Sequence, residues 1–298
     1  MEGILAAISL AENCRSGLCC RNSIKRPRCS VLYPVMIVKA LMENTACSGE
    51  FSAEHGLSLY LEACGHKFLF DTGQSGAFSE NAGKLGVDLA DIDFTVLSHG
   101  HYDHGGGLRT FLTANDHAPV YLSRHAFEKH GNAEGKEIGL DPSLAADPRL
   151  VYTDTSYKIA DGLELFSCND RELCFPIDSA GLTMQVDERT LPEDFRHEQY
   201  LLIHENGKRI LISGCSHKGV LNLLDWFEPG VLIGGFHFMK LAPDGHGQQV
   251  LDDAARRLTL HKTMCYTCHC TGAAQYEYLR KIMKDQLRYL SCGQTLEL

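Results

Sequence analysis

The stretch LSHGHYDHGGG, Leu97 to Gly107, carries three imidazoles and one carboxylate within six residues. His99 and His101 are two positions apart, so in an extended chain their side chains face the same way and can hold one ion together. Asp103 and His104 follow after the chain has turned and are placed to hold a second ion nearby. Imidazole and carboxylate suit zinc, iron or manganese, and ligand positions left to water would make such a site catalytic rather than structural.

An apolar run, DFTVLSHG, precedes this cluster and predicts a buried strand that ends at the histidines. The three glycines that follow allow the backbone to pass close to bound ions and let a helix start at once. Other residues able to do chemistry also follow predicted strands, namely Asp71, Cys215 and His217 in GCSH, His237 in GGFH, and His269 in CHC. Residues at strand ends converge on one edge of such a layout, so these groups are expected to meet.

Short apolar runs alternate with helical patterns from Met36 onward. Two hairpins are predicted, one turning at Cys64-Gly65 and one at Asn206-Gly207. Each is followed by strand–helix alternation, which favours an α/β chain with two mixed sheets packed together and helices outside. Residues 131–180 are less regular and are predicted to hold an insertion or a lid.

The composition is that of a soluble globular protein, with 44% hydrophobic and 22% charged residues in 298. A net charge of −10 argues against nucleic-acid binding. No apolar run reaches the roughly 18 residues of a membrane span. An acidic protein can still bind an anionic small molecule where metal ions supply local positive charge. Oligomeric state is not readable from the sequence.

The first 35 residues differ from the rest, because NCRSGLCCRNSIKRPRC is basic, rich in cysteine and without a clean period. They lack the basic-then-apolar order of a signal peptide, and we predict a disordered extension. The 13 cysteines do not have the spacing of a disulfide framework. They are interpreted as mostly reduced thiols of a cytoplasmic protein.

The motif HGHYDH after an apolar strand, with FDTG upstream, resembles the metallo-β-lactamase-fold superfamily of metal-dependent hydrolases over residues 36–298. SGCSHKG, IGGFHF and CHCTG add a narrower resemblance to 7,8-dihydropterin-6-methyl-4-(β-D-ribofuranosyl)-aminobenzene-5′-phosphate synthase-like proteins. The resemblance implies a four-layer αββα sandwich of two mixed β-sheets, with a binuclear metal site on one edge.

The resemblance also implies roles for individual residues. A first metal would be bound by His99, His101 and His197, and a second by Asp103, His104 and His269. The superfamily's usual bridging aspartate is replaced by Cys215, so either this thiolate coordinates a metal or His217 takes over. Asp71 would orient a ligand by hydrogen bonds rather than bind metal. His237 would be a supporting or proton-donating histidine, unless it is only a core residue. The catalytic candidates are Asp103 and His237.

Two further patterns allow other interpretations. Lys218 begins a predicted helix and could bind an anion, although a solvated lysine is the simpler interpretation. Arg124, His125 and Arg196 are weaker candidates for the same role.

CYTCHC contains the c-type haem signature, which requires an exported protein and would remove His269 from the metal site. Cys265, Cys268 and Cys270 could form a small zinc or redox site, but strand alternation would turn Cys268 and Cys270 away from His269 and favours buried structural thiols.

The function predicted is that of a binuclear hydrolase with two divalent ions, zinc first and iron or manganese as alternatives. A metal-bound hydroxide would attack an ester or phosphoester of a small, anionic or phosphorylated substrate. The subgroup instead implies a pterin-linked transferase, in which metals would hold a diphosphate leaving group. A diiron oxidoreductase and a non-catalytic metal-binding protein are the remaining alternatives.

Overall fold

A computed structural model of the chain describes residues 35–298. The extension predicted for residues 1–35 therefore lies, except for Val35, outside the described residues. The strands are β1 (Ile37–Met42), β2 (Ser58–Ala63), β3 (His66–Phe70), β4 (Phe94–Val96), β5 (Val120–Ser123), β6 (His130–Gly131), β7 (Leu150–Thr153), β8 (Ser156–Ala160), β9 (Leu163–Phe166), β10 (Thr183–Val186), β11 (Arg189–Pro192), β12 (Tyr200–Glu205), β13 (Lys208–Ile212), β14 (Val231–Ile233), β15 (Met264–Thr267), β16 (Leu287–Tyr289) and β17 (Thr295–Glu297). The α-helices are α1 (Ala77–Lys84), α2 (Tyr102–Gly105), α3 (Leu108–Ala114), α4 (Val220–Phe227), α5 (Gly245–Leu260) and α6 (Ala273–Met283). Short 3₁₀ segments lie at Leu89–Asp91, Pro142–Leu144, His269–Thr271 and Lys284–Gln286.

Two large sheets have seven strands each, in the orders β17-β1-β2-β3-β4-β5-β7 and β16-β15-β14-β13-β12-β9-β8. Both sheets are mixed in the same way. In the first, the pairs from β17 to β3 are antiparallel and those from β3 to β7 are parallel. In the second, the pairs from β8 to β13 are antiparallel and those from β13 to β16 are parallel. A third sheet is small, with the order β11-β10-β6.

The inner faces of the two large sheets share one apolar core, in which Phe68 and Phe70 of the first sheet pack with Leu201 and Ile212 of the second. A second apolar cluster joins the first sheet to α1 and α3, and a third joins the second sheet to α4, α5 and α6. The layers are therefore helix, sheet, sheet, helix, and the predicted αββα sandwich is confirmed. This layering buries one face of each helix and both faces of the sheets.

Both predicted hairpins are confirmed. Cys64 and Gly65 have positive φ values of 52° and 79°, and Asn206 and Gly207 have values of 53° and 75°. Positive φ at both central residues is typical of the two-residue turn whose twist matches that of paired strands. The turns fix the registers of β2 with β3 and of β12 with β13, with Cα partners such as Leu61–Phe68 and Ile203–Ile210.

Within residues 131–180, where an insertion or lid is predicted, three strands belong to the large sheets. Strand β7 extends the first large sheet, and β8 and β9 extend the second, so residues 150–166 are integral to the sandwich. Their irregular sequence reflects edge strands, which are short and partly exposed. Within residues 35–298, no helix combines the length and apolar character needed to cross a membrane.

Candidate metal centre

The residues predicted to do chemistry follow the strands that meet at the parallel side of each large sheet. Asp71 follows β3, the histidine cluster follows β4, and GCSH follows β13, while His237 and His269 come after β14 and β15. The glycine run lets these loops pack tightly, because a Cβ at Gly107 would lie 2.1 Å from the Thr72 carbonyl oxygen. Helix α2 begins at Tyr102, within the histidine cluster, and α3 begins at Leu108, directly after the glycines.

The first group consists of His99, His101 and His217, whose nearest ligand atoms all lie within 4.8 Å of one another. Burial lowers the pKa of His101 to about 3 and holds the pKa of His99 and of His217 well below the usual value. All three rings are therefore neutral at pH 7 and keep a lone pair on one nitrogen. Nε2 of His99, Nε2 of His101 and both ring nitrogens of His217 are buried without a hydrogen-bond partner.

Buried imidazole nitrogens without partners are costly, since the polar atoms have lost water and gained nothing in return. A divalent ion among three neutral imidazoles would satisfy one nitrogen of each ring. Three histidines with an open fourth position form a familiar zinc donor set. The first group therefore fits a metal ion.

The second group lies beside the first and combines a carboxylate, two imidazoles and a thiol. Asp103 Oδ2 is 3.3 Å from His269 Nε2 and 3.8 Å from His104 Nε2. His104 Nε2 is 3.2 Å from His269 Nε2 and also 3.2 Å from Cys215 Sγ. Oxygen, nitrogen and sulfur atoms at these separations fit one further divalent ion.

In His104 and His269, Nδ1 forms a hydrogen bond with a residue outside the second group. His104 Nδ1 donates to Asp71 Oδ2 over 2.6 Å, and His269 Nδ1 donates to Asn44 Oδ1 over 2.8 Å. Hydrogen bonds of this kind fix the tautomer and turn Nε2 toward an ion. Asp71 belongs to neither group and accepts this hydrogen bond from His104, which is the contact an orienting residue would make.

Neighbouring charged groups shift the pKa values of His104 and Asp103 in the second group. Burial disfavours the charged form of His104, but Asp71 and Asp103 outweigh it and raise the pKa of this ring to about 9. Burial also opposes ionisation of Asp103, yet His104, His269 and His55 hold the pKa of this carboxyl well below its usual value. An ion binding to His104 Nε2 must therefore displace a proton.

His197 is predicted from the sequence as the third ligand beside His99 and His101, and the hydrogen bonds do not favour this role. The backbone N–H of Gly100 donates to His197 Nδ1 over 2.9 Å. Burial holds the pKa of His197 well below its usual value, so the ring is neutral and its single proton is on Nε2. A protonated nitrogen has no lone pair for a metal. The His217 ring also lies beside His99 and His101, with centroid distances of 4.9 and 5.2 Å, and is the other candidate for the third ligand.

A cavity of about 190 Å³ opens onto both groups. Its lining includes Cys215, His217 and His237 together with the apolar Ile138 and Leu182. The His237 ring centroid lies 4.3 Å from that of His217. Burial, followed by the charge of Lys240, lowers the pKa of His237 to about 4, so the ring facing the cavity is neutral.

The geometry does not support anion binding by Lys218. Its ammonium group is buried and donates to the carbonyl oxygens of Ser167 and Glu198, at 2.8 and 3.4 Å. Arg124, Arg196 and His125 each pair with a neighbouring carboxylate, of Asp154, Asp194 and Glu128 respectively. The cation at the cavity is Lys240, which the sequence did not single out.

Cys265, Cys268 and Cys270 are buried free thiols, as predicted, but Cys270 does not face away from His269. Strand β15 ends at Thr267, and His269 has a positive φ of 48°, so strand alternation does not extend to Cys270. The Cys270 thiol lies beside His269 and donates to the Cys215 carbonyl oxygen at 3.5 Å, rather than facing away. Cys265 and Cys268 are fully buried, which does not favour covalent haem attachment.

Three further residues near the centre were missed. His55 Nε2 lies 3.2 Å from Asp103 Oδ2, and His130 and Glu193 form a buried group with His101 and His197. Neither His55 nor His130 belongs to a recognisable motif in the sequence. Only the position of Glu193, four residues before His197, gave a spacing that could have drawn attention to it.

The chain is similar to known proteins over most of its length. Residues 53–262 match the family model of the metallo-beta-lactamase superfamily. The chain is 28% identical over 253 residues to the uncharacterized protein MJ0448 of Methanocaldococcus jannaschii, covering 79% of this chain and 91% of that protein. It is 25% identical over 276 residues to 7,8-dihydropterin-6-methyl-4-(beta-D-ribofuranosyl)-aminobenzene-5′-phosphate synthase of the same organism, covering 83% and 91%.

Among solved structures, Tm1679, described as a metal-dependent hydrolase of the beta-lactamase superfamily, aligns with a TM-score of 0.75 and 26% identity over 88% of this chain and 99% of that chain. Zinc-bound PqqB from Methylobacterium extorquens aligns with a TM-score of 0.51 and 11% identity over 88% and 100%, a likeness of fold alone. The family match, the sandwich and the histidine motif agree with one another. The chain belongs to the metallo-β-lactamase superfamily.

Proposed function

We propose that the protein is a hydrolase with two divalent metal ions, held in the two groups described above. The first ion would be bound by His99, His101 and His217. The second would be bound by Asp103, His104 and His269, with Cys215 at the place of the superfamily's usual aspartate. The observation that carries the proposal is the set of buried imidazole nitrogens without partners in His99, His101 and His217, of which His101 and His217 line the cavity.

Divalent ions in such a site supply Lewis acidity and lower the pKa of bound water. Side chains of the protein would supply a fixed charge and a proton-exchanging group. Burial opposes ionisation of Asp103, but the nearby His104, His269 and His55 hold the pKa of this carboxyl well below its usual value, so it would keep a negative charge at the cavity. His237, neutral at pH 7 and next to His217, is placed to exchange a proton with a reacting group.

The cavity favours a small anionic substrate, such as an ester or phosphoester. Lys240 lies at its rim, and its Nζ already donates to the Ala180 carbonyl oxygen at 3.3 Å. Ile138, Leu182 and Met239 supply an apolar wall. An ammonium group, an apolar wall and two cations together suit a substrate with one apolar part and one anionic part.

A transferase joining a pterin to a ribofuranosylaminobenzene phosphate is the second candidate. It is favoured by the 25% identity to the Methanocaldococcus jannaschii synthase over most of both chains. The same two ions could then hold a diphosphate leaving group. For either activity zinc is the first choice of metal, with iron and manganese as alternatives, since all three accept imidazole and carboxylate ligands.

Metal content measured by inductively coupled plasma mass spectrometry on anaerobically purified protein tests the centre. We expect about two ions per chain. The His101→Ala and His217→Ala variants should lose the first ion while circular dichroism stays that of a folded protein. His197→Asn is the matched control, because an asparagine oxygen can still accept from the Gly100 amide. Loss of the ion in His197→Asn but not in His217→Ala would reverse the assignment.

Activity then separates the two candidates. Metal-loaded protein would be offered ester and phosphoester panels and, separately, a dihydropterin diphosphate with the aminobenzene ribofuranosyl phosphate. Turnover of esters or phosphoesters alone supports the hydrolase. Diphosphate release that depends on both transferase substrates would replace it with the transferase. A fully metal-loaded chain inactive in both assays would contradict both.

A further inference from the structure

The ring of His217 is held differently from the rings of His104 and His269. Those two histidines each form a hydrogen bond through Nδ1. Within residues 35–298, both ring nitrogens of His217 are buried without a hydrogen-bond partner. The orientation of this ring must therefore be set by contacts with its face and with its backbone.

One face of His217 is covered by the ring of Phe195. The two ring centroids are 4.4 Å apart and the ring planes are nearly parallel, at 7°. Phe195 is fully buried and lies in the segment between β11 and β12. A histidine binds a metal ion through a lone pair in the plane of its ring. A partner stacked on the face therefore restricts the tilt of the ring and leaves the nitrogens uncovered.

The backbone at His217 is held by the fully buried carboxylate of Glu198, from the same segment. Oε1 of Glu198 accepts from the backbone N–H of His217 at 2.8 Å, and Oε2 accepts from that of Lys218 at 3.0 Å. The Tyr200 hydroxyl group also donates to Oε2. Two successive N–H groups bound to one carboxylate fix the direction of the chain where the His217 side chain projects from it.

The segment that carries these two contacts is itself a tight turn. The backbone N–H of Glu198 donates to the Phe195 carbonyl oxygen at 3.0 Å. Phe195 has a positive φ of 58°, which is uncommon for a bulky residue and persists only where the surroundings require it. The turn brings the aromatic ring and the carboxylate to the same histidine.

We propose that Phe195 and Glu198 are positioning residues for the first metal ion. Phe195 sets the tilt of the His217 ring, and Glu198 sets the backbone that carries it. Together they keep a nitrogen of His217 within 4.8 Å of nitrogens of His99 and His101. The inference rests on the proposed function, in which His217 is a ligand of that ion.

A role in stability alone is the alternative, and the two roles differ in what they predict. A buried carboxylate that accepts three hydrogen bonds stabilises the loop that it holds, whatever the loop carries. With a role in stability alone, metal affinity would follow stability whichever donor to Glu198 is lost. With a positioning role, affinity depends on the contacts with His217 and not on the contact with Tyr200.

The test measures Zn²⁺ affinity of the full chain by competition with a chromophoric chelator, and the stability of the metal-free chain by urea denaturation. The first ion is identified as the one that His217→Ala loses. Glu198→Ala should weaken binding of this ion about 10–100-fold. Glu198→Gln, which keeps one acceptor oxygen, should recover part of the loss. Phe195→Leu, which stays apolar but removes the stacked ring, should also weaken it.

Tyr200→Phe is the matched control, because it removes the third donor to the same carboxylate and leaves both backbone N–H groups in place. This variant should lower the urea midpoint of unfolding while the affinity for the first ion stays within twofold of wild type. A role in stability alone would not separate the two measurements in this way.

Affinity within twofold of wild type in both Glu198→Ala and Phe195→Leu would overturn the proposal, and so would an equal loss of affinity in Tyr200→Phe and Glu198→Ala. If Glu198→Ala does not fold, the same criteria apply to Glu198→Gln. A wild-type chain that binds no ion, or a His217→Ala variant that keeps both ions, refutes the proposed first site together with the positioning role. Unchanged variants beside a His217→Ala chain that loses one ion refute only the positioning role.

Discussion

His104 Nδ1 and Asp71 Oδ2 are 2.6 Å apart, and both side chains are completely buried. Asp71 also accepts from the backbone N–H and the hydroxyl group of Ser98, at 2.6 and 2.7 Å. One carboxylate therefore ties the end of β3 to the loop after β4 and turns His104 Nε2 toward His269. Asp71 itself has a positive φ of 63°, a conformation that aspartate tolerates better than most residues.

Replacing Asp71 should cost both stability and metal affinity. We expect Asp71→Ala to lower the free energy of unfolding by about 3–5 kcal/mol, because it leaves buried donors without their charged partner. Urea denaturation of metal-free protein measures this. Ser98→Ala, which removes one hydroxyl, should cost about 1 kcal/mol. An equal loss of unfolding free energy in the two variants would contradict the larger contribution expected of the Asp71 carboxylate.

Cys215 is expected to provide a thiolate ligand to the second ion. Protein loaded with Co²⁺ should then show a sulfur-to-cobalt charge-transfer band in the near ultraviolet. Cys215→Ser should abolish this band, because the sulfur atom 3.2 Å from His104 Nε2 is gone. Cys270→Ser is the control, since Cys270 lies beside the same histidines. A band that survives in Cys215→Ser and disappears in Cys270→Ser would assign the ligand to Cys270.

Two glycines should respond to alanine in opposite directions. At Gly107 a Cβ would meet the carbonyl oxygens of Thr72 and Ser75 at 2.1 and 2.6 Å, so Gly107→Ala should destabilise the fold by about 1–3 kcal/mol. At Gly83, in α1, a Cβ would meet nothing within 4 Å, so Gly83→Ala should stabilise by about 0.5–1 kcal/mol. Thermal unfolding of both variants measures the difference. A lower Tm for Gly83→Ala would contradict this expectation.

Thiol reactivity should follow burial. Burial raises the pKa of Cys168 and of Cys265 to about 12, so these thiols stay protonated at pH 8. Because the thiolate is the nucleophile, both should resist alkylation, whereas the exposed Cys47 and Cys174 should react. Iodoacetamide labelling of native protein at pH 8, mapped by peptide mass spectrometry, checks this. Labelling of Cys265 as fast as Cys174 would contradict the buried position of Cys265.

The sandwich and much of the centre were predictable because they rest on local patterns. Alternating apolar residues around Asn206-Gly207 define a hairpin, and HGHYDH after a short apolar run places its ligands at a strand end. The sequence does not show what distinguishes His197 from His217 as a ligand beside His99 and His101. The Gly100 amide, which donates to His197 Nδ1, approaches that ring only in the folded chain.

The other omissions have the same origin. His130 and Glu193 meet through a 2.7 Å hydrogen bond although they lie 63 residues apart. No period in the sequence connects them. The position of Cys270 could not be read either, because strand alternation was extended past Thr267, where the backbone in fact turns. Sequence patterns predict elements, whereas these contacts depend on how separate loops pack.

The two large sheets each contribute part of both proposed metal groups, and this would have a consequence for biosynthesis. His99, His101, Asp103 and His104 leave the ribosome well before Cys215, His217 and His269. A nascent chain carrying only the early residues would be an incomplete chelator, able to hold an ion weakly and in the wrong coordination. Loading of both ions would therefore be a late event, completed only after the second half has been made and has docked on the first.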